Sequence, residues 1–105
     1  MYKVTASNAF WRSGLFLRKK YSAKDYREIM RTIREVINEL AENGTVNVNG
    51  WDEHILIHHP FADENHFECH IFDDDVLLVY FKREAKHVIR MVGIFDHETL
   101  PNSKK

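Results

Sequence analysis

Residues 66–95, HFECHIFDDDVLLVYFKREAKHVIRMVGIF, decide the fold. HFECHIF (66–72) alternates, placing Phe67, Cys69 and Ile71 on one face and His66, Glu68, His70 and Phe72 on the other. Asp73, Asp74 and Asp75 interrupt it as a tight acidic turn. VLLVYFK (76–82) is apolar almost throughout, the pattern of a central strand. Glu84 to Lys86 turn the chain into HVIRMVGIF (87–95), a last strand. The segment therefore predicts an antiparallel meander.

Upstream, HILIHH (54–59) reads as one more strand, ending at Pro60. NGTVNVNG (43–50) is a polar connection, and before it the period becomes helical. Ser22 is an N-cap with Asp25 three residues on, and Asn43-Gly44 is the stop. Between them Tyr26, Ile29, Met30, Ile33, Val36 or Ile37, and Leu40 form the core stripe, with Lys24, Arg27, Arg31 and Arg34 opposite. A first helix, capped by Ser7 or Asn8, carries Phe10, Trp11, Leu15 and Phe16, and Gly14 makes it short or bent. Residues 1–6 read as a first strand and 101–105 as a frayed tail. The order strand, two helices, strand meander predicts a single α+β domain with its helices on one sheet face.

The bulk numbers agree. A chain of 105 residues, 44% hydrophobic and 12% aromatic, builds one core and is not a disordered composition. No run of eighteen apolar residues and no secretory pattern is present, and a single cysteine excludes an internal disulfide; the expected location is the cytoplasm, away from membranes. The net charge is -1, but unevenly placed. Residues 1–40 hold nine Lys/Arg against four Asp/Glu, and residues 41–105 hold six against twelve. A basic surface can therefore coexist with near neutrality.

All seven histidines lie between His54 and His97. Histidine transfers protons near neutral pH, and Asp74, four residues after His70, is placed to reach its ring across the strand end. His58, His59, His66, Glu68 and His70 are potential metal ligands, but no H-E-x-x-H spacing and no cysteine pair supports a metal site, and no cofactor is expected. Cys69 has the phase of a buried thiol. No P-loop, dinucleotide fingerprint or G-x-S-x-G is present, which removes support for nucleotide-binding and serine-hydrolase readings.

His59-Pro60-Phe61, then Phe67-Glu68-Cys69-His70-Ile71, Asp74, Leu77-Leu78-Val79-Tyr80, and finally Gly93 and His97 resemble the YafQ branch of the RelE/ParE toxins of type II toxin–antitoxin systems. Asp75 stands where that family prefers Trp, and Phe67 where it prefers Arg. The resemblance implies a RelE-like fold and a metal-independent, ribosome-dependent endoribonuclease acting on mRNA, with a cognate antitoxin as partner. It implies His59, His70, Asp74 and His97 as the catalytic set. Arg18, Lys19, Lys20, Arg27, Arg31 and Arg34 are expected to dock RNA, with Lys82 and Arg90 stabilising phosphate charge. The alternatives are a gyrase inhibitor of the ParE kind and a diverged, inactive binding protein.

Overall fold

The computed structural model describes residues 1–47, 51–57, 60–63 and 65–100. β1 (Lys3–Thr5) is followed by α1 (Asn8–Arg12), α2 (Leu17–Lys20) and α3 (Ala23–Asn43), then by β2 (Glu53–Ile55), β3 (His66–Ile71), β4 (Val76–Arg83) and β5 (Val88–Phe95). The strands form one sheet in the order β1-β5-β4-β3-β2. β1 joins the edge parallel to β5, and every other pair is antiparallel. The α+β layering expected from the sequence is the layering found, with β4 at the centre.

α3 starts where Ser22 Oγ accepts the Asp25 N–H (3.1 Å) and stops at Gly44, whose φ of 74° is left-handed and whose N–H donates to the Leu40 carbonyl. Its stripe of Ile29, Ile33, Val36 and Leu40 is fully buried and belongs to one core with Cys69, Ile71, Leu78, Tyr80, Ile89 and Met91 of the sheet. Burying such side chains stabilises by about 1.5–3 kcal/mol each, which is why a long helix and a sheet suffice for a small chain.

Three local expectations are revised. The first helix divides: α1 ends at Arg12, and a turn precedes α2. Ser13 ties that turn to β5, its Oγ accepting the Ile94 N–H (2.8 Å) while donating to the Phe10 carbonyl. The strand read at 54–59 is confined to β2, although the Leu56 N–H still donates to the His66 carbonyl (2.8 Å). His58 and His59, like the tail 101–105, lie outside the described residues. Phe72 leaves the histidine face altogether. At φ 54° it begins the turn, and its ring packs edge-on to Tyr21 (5.3 Å) at the margin of the core.

Candidate functional site

All three helices pack on one side of the sheet, so the other side is left to strand residues. Period two puts His66, Glu68 and His70 there from β3, with Leu77, Val79 and Phe81 beside them on β4. On β5 the face continues through Arg90, Gly93 and Phe95, the register slipping by a bulge opposite Val79/Tyr80. Gly93 is required there, because a Cβ would lie 2.7 Å from the Phe95 ring folded over it.

His70 is the hub of this face. Its Nε2 is 3.3 Å from Glu68 Oε2, and its Nδ1 is 3.8 Å from Asp74 Oδ1. The nearer carboxylate is also the more enclosed, with 16% of the Glu68 side chain exposed against 83% for Asp74. The His54 ring meets His70 edge-on at 5.8 Å from β2, and the His97 ring does so at 5.7 Å from beyond β5. A cavity of about 200 Å³ opens beside His70, walled by Trp51, Asp52 and the turn Phe72–Asp74.

Two turns present the flanking groups. Phe72, Asp73 and Asp74 all have positive φ (54°, 56° and 67°), and none is glycine. Left-handed residues of this kind cost about 1–3 kcal/mol each and cluster where geometry serves function. The Asp74 carbonyl accepts a hydrogen bond from His97 Nε2 (2.8 Å), which joins the two turns. His97 is itself carried on a turn fastened by Asp96, whose carboxylate accepts the N–H groups of Glu98 (2.9 Å) and Thr99 (2.8 Å) and pairs with Lys20 Nζ (2.8 Å). Burial pushes this carboxyl up, but the Lys20 contact and the backbone N–H groups outweigh it and hold Asp96 at about 2.

His70, Asp74 and His97 are thus brought together, while His59 lies outside the described residues. Glu68, named from the sequence only as a potential metal ligand on the His70 face, and His54 are the members to which sequence reasoning gave no role at His70. Their signals were the i, i+2 phase with His70 and the pairing of His54 with Glu68, and the second is invisible without the register.

The cations divide by face. Lys82 is turned into the protein, its side chain 5% exposed, with Nζ 2.6 Å from Glu53 Oε2 and 4.4 Å from the Phe67 ring centre. Its even phase with Val76, Leu78 and Tyr80 points it to the core side, and that placement corrects the expectation of a phosphate contact. Glu53 also accepts the Tyr80 hydroxyl (2.6 Å). Burial, with Glu53 nearby, pushes the Cys69 thiol up to about 12, so Cys69 is a neutral core group. Arg90 is exposed on the histidine side. Arg18, Lys19, Lys20, Arg27, Arg31 and Arg34 belong to the helical layer instead. There Lys20 pairs with Asp96 and Arg31 with Glu28, while Arg18 lies over Tyr26 and Arg34 over Trp11.

No protein-family model matches the chain, and no curated protein matches it. Solved structures do. A metal-bound toxin from Helicobacter pylori superposes with a TM-score of 0.66 at 22% identity, covering 95% of this chain and 99% of that one. The conserved hypothetical protein HP0892 of the same organism gives 0.56 at 21%, covering 93% and 97%. Its conserved hypothetical protein HP0894 gives 0.59 at 20%, with the same coverage. At these identities the likeness establishes the fold.

Proposed function

We propose that this chain is the toxin of a type II toxin–antitoxin pair and cleaves messenger RNA on the ribosome. The observation that carries the reading is His70, faced by carboxylates near both ring nitrogens and by a second histidine, His97, at 5.7 Å on an open sheet face. The structural likeness to a protein described as a toxin supports it, as does the sequence resemblance carried by Glu68-Cys69-His70-Ile71 and Asp74.

Cleavage of RNA at its own 2′-OH needs a base for that proton, a group that stabilises the crowded phosphorane, and an acid for the departing 5′-oxygen. Two imidazoles at this spacing can flank one phosphodiester, one taking the 2′ proton and the other supplying the 5′ proton. Glu68 positions His70 through Nε2, while Asp74, 3.8 Å from Nδ1 and beyond hydrogen-bond distance, leaves that nitrogen to exchange the proton with RNA. The products are a 2′,3′-cyclic phosphate and a 5′-hydroxyl. The bound metal of the Helicobacter pylori toxin has no counterpart in this scheme. Among the described residues no three His, Cys, Asp or Glu side chains are placed to hold an ion, so no step is routed through one. Among the described residues no helix is long and apolar enough to cross a membrane. The partners in this reading are a cognate antitoxin, mRNA and ribosomal RNA, the last docked by the arginines of the helical layer.

A second reading has its own observation. Glu68 and the Asp73–Asp75 turn make the histidine end acidic, which repels a phosphate backbone and favours a diverged binding protein without catalysis. Primer extension on a reporter mRNA after induced expression separates the readings. Codon-phased cuts that His70→Ala and His97→Ala both lose support the nuclease. Intact mRNA with arrested growth points instead to a gyrase inhibitor, and intact mRNA with normal growth to the binding protein.

A further inference from the structure

The mechanism above leaves unused a row of flat side chains at the other end of the same sheet face. Phe61 and His66 have ring centroids 5.0 Å apart, and so do His66 and Phe81. The Arg90 guanidinium carbon lies 5.5 Å from the centre of the Phe81 ring. His66, Phe81 and Arg90 are register partners on β3, β4 and β5, so the row runs straight across three strands. Asp63 fixes the imidazole, its Oδ1 2.9 Å from His66 Nδ1. Phe61, His66 and Phe81 remain partly exposed and Arg90 is exposed.

Charge distinguishes this end from the other. Arg83 follows Phe81 by one same-face step on β4, and Lys3 pairs with Val88, the residue one same-face step before Arg90. Both are exposed. The large apolar side chains left exposed among the described residues, Met1, Leu15, Ile55 and Ile57, are not members of the row. Ring faces and a guanidinium plane edged by cations match a nucleobase with its phosphates. His70 lies four residue steps beyond His66, about 13 Å along β3. A chain bound at one end therefore reaches the other without leaving the sheet face.

We propose that Phe61, His66, Phe81 and Arg90 form a base-stacking subsite for single-stranded RNA, holding a nucleobase to one side of the cleaved bond while Arg83 and Lys3 contact its flanking phosphates. The proposal rests on the RNA-cleavage reading and adds a substrate-positioning site to it. It explains how a chain with an acidic catalytic end still holds RNA: affinity comes from the stacking row and chemistry from the histidines.

The test is fluorescence anisotropy of the full-length protein with a short, labelled, single-stranded oligoribonucleotide carrying 2′-O-methyl groups, which block cleavage. Phe81→Leu and Arg90→Gln should each weaken binding, Phe81→Leu by roughly ten- to a hundred-fold, the worth of one base–aromatic stack. An abasic residue walked along the oligonucleotide should weaken wild-type binding at one position, and there Phe81→Leu should cost nothing more. Arg90→Gln changes an exposed side chain and guards against a folding artefact. Wild-type binding by both variants, in a protein that cleaves RNA, overturns the subsite and leaves the cleavage reading standing. A wild-type chain that binds no single-stranded RNA overturns the subsite, while the cleavage reading stands or falls separately on primer extension.

Discussion

Glu68 approaches His70 more closely than the sequence-matched Asp74 does, at 3.3 Å against 3.8 Å, and from a far less exposed position. Glu68→Gln should therefore slow cleavage more than Asp74→Asn. The expected loss is roughly tenfold or more, below the about 10²- to 10⁴-fold of a full proton-transfer group. Single-turnover rates check the ranking, and Asp74→Asn as the worse variant would contradict it. Asp96 makes a stability prediction. Its carboxyl is held at about 2 in the fold, so its contribution is complete above the unfolded value near 4 and is lost as pH falls through about 2. Asp96→Asn should cost roughly 2 kcal/mol at neutral pH and flatten the acid limb of the stability curve. Urea titrations between pH 2 and 7 measure both. At this scale the sequence disclosed which side of β3 His70 occupies but not which carboxylate meets it. Period sets a face, whereas a side-chain distance depends on rotamers and on neighbouring strands. Lys82 shows the opposite case. Its phase already pointed to the core, and the habit of lysine to stay exposed concealed it until Glu53, from a strand not yet paired, supplied the countercharge.

Among the elements, α3 was the most legible, because its cap, its stripe and its stop all agree. Gly44 completes it in the left-handed region, with the Tyr2 ring against its α-carbon. Gly44→Ala should destabilise by more than about 1 kcal/mol from backbone strain alone, and a urea midpoint unchanged from wild type would contradict this. The first helix and β2 were less legible. The split at Ser13 depends on a hydrogen bond to Ile94, 81 residues away, and β2 is only three residues long. β2 is held to the sheet by Glu53, whose side chain is 7% exposed and binds both Lys82 and Tyr80. Lys82→Met strands the carboxylate and should cost about 3–5 kcal/mol, whereas Lys82→Met with Glu53→Leu should recover much of that loss. Equal destabilisation of the single and double variants would show that the pair does more than neutralise itself.

Over the whole molecule, the fold separates two surfaces that the sequence lists together. The basic first forty residues became a helical layer whose arginines lie over Tyr26 and Trp11, and the histidine-rich remainder became the open sheet face. Charge counts along the chain showed the asymmetry but not that a sheet stands between its parts. In the proposed mechanism the open face cleaves RNA through His70 and His97. The most direct measurement is the cleavage rate of ribosome-bound mRNA by purified wild-type, His70→Ala, His97→Ala and His87→Ala proteins. His87 sits beside Tyr2 at the far end of β5 and serves as the control. This mechanism requires losses of about 10²-fold or more for the first two variants, near wild-type rates for His87→Ala, and products ending in 2′,3′-cyclic phosphate. Undiminished cleavage by His70→Ala and His97→Ala would contradict it.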